Sequence, residues 1–261
     1  MSKASIASYK RERADSLKKF GGELFRLKAI REKKPFEDAY LQCLNGPLPT
    51  PVGVVIDTKN SWGYALSNVI FTIQEKRRIK EIKPLGAKLI SIQMSTTVIG
   101  TVVSDENIVE DPLTHLEFNL VIKGELTKKI VSVSCWHLDR DLENIKQPSD
   151  SHPIYHFQYG GKNLRLDDGT FINGSNMILD GPRFAHLPLD GILGSDFILS
   201  NFFGEFRNNC CNNSPSYSRF IIESQSALWR PYLYATSNHW ATYYPIRYNW
   251  PAIKILPQLL K

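Results

Sequence analysis

Four segments between Leu89 and Gly161 alternate apolar and polar side chains: "LISIQMSTTVIGTVV", "THLEFNLVIKG", "KKIVSVSCWHLDRD" and "PIYHFQYGG". Period-two runs rich in Ile, Val, Thr and aromatics read as β-strands. Connections as short as "KGELTK" suit hairpins, so the strands pair mostly antiparallel, in a sheet of about four to six.

Helical patterns flank this block on both sides. From Ser5 to about Arg31, the residues Leu17, Phe20, Leu24, Leu27 and Arg31 recur at 3-4-3-4 spacing, with Ile6 farther up the same stripe. Gly21-Gly22 interrupts the run at a cost of about 2 kcal/mol relative to alanine. Such a helix needs a surface to lean on, and three remain open: its own domain, a partner's helix, or a nucleic-acid backbone.

"KKPFEDAYLQCL" predicts a second, shorter helix, and "NGPLPTPVG" then reads as a linker. "SWGYALSNVIFTIQEKRRIKEI" is expected to be helical from the spacing of Leu66, Ile70, Ile73 and Ile79. Toward the C-terminus, "LPLDGILGSDFILSNFFG" predicts a helix capped by Asp190 and stopped at Gly204. "NNCCNNSPS" reads as an exposed loop, and "YSRFIIESQSALWRPYLYATSNHWATYY" as a long helix that Pro231 kinks or divides. The expected fold is α+β: basic N-terminal helices, a central mostly antiparallel sheet, and C-terminal helices packed against it. Residues 1–46 are expected to form a basic helical arm, and 47–261 a single α+β domain.

Charge is concentrated at one end. Residues 1–34 hold eleven Lys/Arg against four Asp/Glu, and the rest of the chain twenty-one against twenty-two. A polyanion-seeking surface is therefore expected on the first helix, at Lys10, Arg11, Arg13, Lys18 and Lys19, with a second basic patch at Lys76, Arg77, Arg78 and Lys80. No run of about 18 apolar residues marks a membrane span. The basic N-terminus lacks the apolar segment of a secretory signal, and Glu12 and Asp15 speak against a mitochondrial presequence. The cysteines Cys43, Cys135, Cys210 and Cys211 include no C-x-x-C pair, which points to a reduced, cytoplasmic protein.

Laid out with period two, Leu116, Phe118, Leu120 and Ile122 share one strand face. His115, Glu117 and Asn119 share the other, with His156 and Gln158 beside them. The middle strand is expected to add Ser132, Ser134 and Trp136 to this polar face, with Val131, Val133 and Cys135 turned to the core. Two imidazoles and a carboxylate can divide acid and base duties near neutral pH, so His115, Glu117 and His156 are the candidate catalytic residues. The same three offer metal-ligand types, but no metal-binding motif is present, and neither a metal nor a cofactor is expected. His137 and Asp139, two residues apart, are a second pair at the strand's end. The competing reading is structural: polar atoms satisfied by ordinary hydrogen bonds beneath a helix.

Other constellations carry less. "YGGKN" is no phosphate cradle, and Ser195 in "GILGSDF" lacks the rest of a nucleophile elbow. Asp180, Arg183 and His186 in "LDGPRFAH" suit an ion pair at a turn. Trp229, Arg230 and Tyr232 have the residue types that dominate interfaces.

The expected function is a non-catalytic subunit of a larger assembly. It would dock through the amphipathic N-terminal helix, by Leu17, Phe20, Leu24 and Leu27, and through Trp229, Arg230 and Tyr232. Nucleic acid is a second partner class, and no membrane is involved. The alternative is a nuclease-like enzyme using the His/Glu-bearing sheet face.

Overall fold

The apolar stripe of the first helix, α1 (Ile6–Arg26), is filled by the chain's own core. Leu17, Phe20 and Leu24 are buried, and Leu27 just beyond packs against the same core. Phe20 meets Phe36 of α2 (Lys34–Asn45) edge to face. The Gly21-Gly22 interruption has a local reason. A Cβ on Gly21 would collide with the Phe36 side chain, whereas Gly22 faces open space. The stripe meets the chain's own core, and α1 and α2 contribute to one continuous cluster of buried residues with the sheet.

A computed structural model describes residues 6–51, 56–72, 89–102, 108–127, 130–140, 152–160, 171–172, 183–240 and 247–259. The basic cluster Lys76, Arg77, Arg78 and Lys80 lies outside them, as does Asp180. The strands are β1 (Ser61–Phe71), β2 (Leu89–Thr101), β3 (Ile108–Val109), β4 (Leu113–Thr127), β5 (Ile130–Arg140), β6 (Tyr155–Tyr159), β7 (Phe171–Ile172), β8 (Phe184–Ala185) and β9 (Arg247–Tyr248). The main sheet runs β1-β2-β4-β5-β6-β8 with every neighbour antiparallel, and β7 adds to β5 in parallel. β3 and β9 form a separate parallel pair.

The expected helix at 61–82 is overturned over its described part: residues 61–71 are a strand paired with β2. Its period two is hidden by a bulge. Trp62, Tyr64 and Leu66 are buried, the register then shifts, and Val69 and Phe71 resume the buried face. Asn68 takes a left-handed φ of 57° in the bulge, a conformation Asn tolerates better than most residues. The outer edge of β1 is covered rather than left open. Gln42 Oε1 accepts from Ala65 N at 2.7 Å, and Ile30 makes a bridge to Phe71.

One layer of helices covers one sheet face. α3 (Gly191–Phe202) is capped by Asp190, whose side chain accepts from the N–H groups of Ile192 and Leu193. Its glycines let it approach the strands: Gly191 sits on Tyr64 and Leu66, and Gly194 on Phe118 and Met94. Gly204 begins α4 (Gly204–Asn213) instead of ending the helical region, so much of the expected "NNCCNNSPS" loop is helix and Cys210 is buried. α5 (Pro215–Ser237) runs through Pro231, and α6 (Ala252–Ile255) follows. The architecture is α+β with helices at both ends of the chain and a mostly antiparallel sheet between them. No helix of the described residues is long and apolar enough to cross a membrane.

Three residues expected at surfaces are turned inward. Arg13 lies in the core layer, where its guanidinium takes the Tyr9 hydroxyl at 3.1 Å and sits 4.0 Å from Asp190. Trp229 donates Nε1–H to the Pro188 carbonyl at 2.8 Å, and Tyr232 is buried against Tyr155 and Trp250. Arg13 is thus engaged by an acid of its own fold, and Trp229 and Tyr232 are engaged by their own core. Arg11, Lys18, Lys19 and Arg230 remain exposed, and Lys10 is half-buried.

Candidate functional site

The sheet face opposite α3 carries the polar side chains. Strand register decides its membership. Glu117 of β4 stands opposite Asp139 of β5, and Asp139 opposite His156 of β6. The adjacent row is Asn119, His137 and Gln158. His115 lies one step along β4, opposite Ile99. In antiparallel pairs, residues directly opposite project to the same side.

β5 is therefore one residue out of the expected facing. Trp136 pairs with Leu120 and Leu138 with Phe118, which puts Ser134 and Trp136 on the core side. Trp136 stacks on Phe157 at 5.4 Å. His137 and Asp139 take their place on the polar face. The misleading signal was the apolar Val133 and Cys135, which form a small separate cluster with Val121 on that outer face.

The centre of the face is compact. One donor atom each from His137, Asp139 and His156 all lie within 4.8 Å of one another. His137 Nε2 is 3.5 Å from Asp139 Oδ2. His156 is 6% exposed, and its Nδ1 lies 3.3 Å from the Pro153 carbonyl. With the proton on Nδ1, that carbonyl accepts it and Nε2 keeps its lone pair. Asn119 Nδ2 donates to Glu117 Oε1 at 3.0 Å, fixing the carboxylate beside the cluster. Near the edge, Arg183 Nη1 approaches the ring of His152 at 2.7 Å, and the His152 and His156 rings are 6.3 Å apart.

The three expected catalytic residues do share this face, but they do not meet as a triad. Asp139 stands between Glu117 and His156, which are two strands and so roughly 9.5 Å apart. His115 is half-buried, and both its ring nitrogens are buried with no hydrogen-bond partner among the described residues. Burial lowers its pKa, with the Glu117 charge pulling the other way, which leaves a neutral imidazole at neutral pH. Cys135, on the same face, is an inert thiol: burial pushes its pKa up to about 11.

Two buried carboxylates elsewhere are paired, whereas the Thr96 hydroxyl and His137 Nδ1 are buried with no hydrogen-bond partner among the described residues. Asp111 accepts from Arg140 at 2.8 Å and from the Tyr155 hydroxyl at 2.6 Å. Asp196 likewise accepts from Arg207 at 2.8 Å and Tyr217 at 2.7 Å. Burial raises the pKa of Asp111 and of Asp190, with Arg140 and Arg13 respectively opposing it. These carboxylates tie segments together, and further titratable groups gather on the opposite sheet face, where His156 is buried and Glu117, His137 and Asp139 are half-buried.

Comparison with known proteins finds no matching family model, no similar curated protein and no similar solved structure.

Proposed function

We propose that the outer sheet face is the working site of a nuclease-like hydrolytic enzyme. The observation that carries the reading is the convergence of His137, Asp139 and His156 within 4.8 Å, with Glu117 directly opposite Asp139. Hydrolysis of a phosphodiester needs a base to take a proton from the attacking oxygen, an acid for the leaving oxygen, and positive charge near the phosphoryl group. Imidazole and carboxylate side by side supply the first two. His137 and Asp139 on β5 and His156 on β6 sit on paired strands of the sheet, a frame that holds such groups better than a loop. The earlier set of His115, Glu117 and His156 is thereby recentred on β5, with Glu117 kept at its edge. The test is cleavage of fluorescent single-stranded RNA and DNA by the purified chain. His137→Ala and His156→Ala should each abolish cleavage while circular dichroism at the assay temperature shows both variants folded. An unaltered protein that leaves both substrates intact under all metal conditions refutes the reading.

A non-catalytic subunit is the second reading, supported by a different surface. Ile222, Leu233 and Tyr234 of α5 and Trp240 just beyond it are exposed apolar side chains, with exposed Arg230 among them. Docking would then use the outer side of α5 in place of the filled stripe of α1. Co-purification from the native cell that is lost on Leu233→Asp, with RNA and DNA left intact, would favour this reading over the enzymatic one.

A further inference from the structure

We infer that His137, Asp139 and His156 bind a divalent transition-metal ion, and that zinc fits the ligand set best. The inference rests on the same face as the hydrolytic reading but stands or falls by a separate measurement. Two imidazole nitrogens and one carboxylate oxygen form a ligand set that catalytic zinc sites use, with a fourth position left for water.

Distances support it. Ligand atoms around a tetrahedral zinc at 2.0–2.1 Å bond lengths are about 3.4 Å apart. His137 Nε2 and Asp139 Oδ2 already stand at 3.5 Å. The donor atoms of all three residues lie within 4.8 Å, so closing on an ion asks for little more than side-chain rotation. Strand geometry explains the fit: His137 and Asp139 are successive residues of one strand face, and His156 is the cross-strand neighbour of Asp139.

The surroundings of His156 are those of a ligand, whereas His137 Nδ1 is buried with no hydrogen-bond partner among the described residues. Metal-binding imidazoles commonly give their second N–H to a backbone carbonyl, which fixes the tautomer, and the Pro153 carbonyl stands at 3.3 Å from His156 Nδ1. Glu117 and Asp139 face each other across neighbouring strands, an arrangement of like charges that disfavours the sheet and that a shared cation relieves. Glu117, held by Asn119, is the carboxylate on the strand next to the cluster. Iron(II) uses the same two-histidine, one-carboxylate set, so the identity of the ion is itself read out by the test.

The experiment uses the full chain without a polyhistidine tag. Metal content is measured after purification, and chelator-stripped protein is titrated with Zn²⁺ against a chromophoric competitor. One ion per chain is expected. His137→Ala and His156→Ala should each weaken binding by more than the roughly 10–100-fold that losing an outer-shell partner costs. His186→Ala, outside the cluster, should leave it unchanged. Cobalt(II) loading should give the intense visible absorption of a four-coordinate site, lost in both variants. Circular dichroism of the stripped variants checks their folding, and His137→Gln serves if His137→Ala does not fold. No binding, or binding equal in the histidine variants, overturns the inference. Stoichiometric binding without RNA or DNA cleavage keeps the metal site and removes the nuclease-like reading. Cleavage by stripped protein that also fails to bind Zn²⁺ does the reverse.

Discussion

The hydroxyl of Tyr217 on α5 donates to Asp196 on α3 at 2.7 Å, and Arg207 on α4 grips the same carboxylate at 2.8 and 3.1 Å. One buried acid thus fastens three helices. Burial drives the tyrosine pKa far upward, so the phenol stays a donor throughout the working pH range. Tyr217→Phe removes that donor without changing shape. The expected loss is about 1.5–3 kcal/mol, as for a hydrogen bond to a charged group. Urea unfolding measures it, and Tyr234→Phe, on the exposed side of α5, should change nothing.

The paired glycines of α1 should respond in opposite directions. Gly22→Ala meets open space and should stabilise the helix by about 0.5–1 kcal/mol, the ordinary cost of helical glycine. Gly21→Ala drives a methyl into the Phe36 side chain and should destabilise by about 1–3 kcal/mol, as overpacking does. Equal melting-temperature shifts for the two would contradict this packing of α1 on α2.

Cations on α1 divide into one that holds the fold and several that face solvent. Arg13→Ala leaves Asp190 buried beside an emptied site, and should cost about 3–5 kcal/mol. Replacing exposed Arg11, Lys18 and Lys19 by Gln should leave stability within about 0.5 kcal/mol. If nucleic acid uses this surface, the triple variant weakens RNA or DNA binding and flattens its salt dependence. Retention on an anionic column and unfolding midpoints separate the two effects.

How much of this was readable in the sequence varies element by element. The strands at 89–159 and the helix carrying Leu17, Phe20 and Leu24 follow from periodicity, because period alone reports which face is apolar. What covers an apolar face is not in the period: α1's stripe turned out to meet Phe36, Tyr217 and Phe220. β1 resembles a helix in sequence because its bulge at Ser67-Asn68 converts two alternating runs into a near-helical spacing. The facing of β5 is hidden in the sequence because the strand is apolar on opposite sides in its two halves, Val133 and Cys135 outward and Trp136 and Leu138 inward. The larger side chains, Trp136 and Leu138, were the signal for the true facing. With that facing, His137 and Asp139 fall beside His156. Arg13 looked like one more surface cation, since only the fold brings Asp190 to it.

Acid should destabilise the chain through two half-buried imidazoles. Burial lowers the pKa of His186, its bond to the Leu187 carbonyl opposing, and burial lowers that of His115 as well, both from an ordinary 6.5. A group whose folded pKa is depressed binds fewer protons folded than unfolded between the two values. Stability is therefore fully present above about pH 6.5 and falls as pH drops toward the folded pKa values. Unfolding midpoints at pH 7.5 and 5.5, with chelator present, should show the decline. His115→Gln and His186→Asn should each make it shallower. A slope unchanged in both variants would locate the acid sensitivity elsewhere.

The carboxylates facing each other across β4 and β5 set stability against function. Glu117 and Asp139 are direct cross-strand neighbours, and like charges so placed cost on the order of 0.2–1 kcal/mol. In stripped protein, Glu117→Gln removes one charge while keeping the size and the hydrogen-bonding partner Asn119. It should raise stability by about that amount. In metal-loaded protein the gain should vanish, because the ion already offsets the repulsion. Cleavage should fall, since an amide cannot take the proton from the attacking water. Melting curves of Glu117→Gln and its parent, each with chelator and with Zn²⁺, measure all three effects. A variant no more stable than its parent when stripped, and equally active when loaded, would show that Glu117 neither strains the face nor works on it.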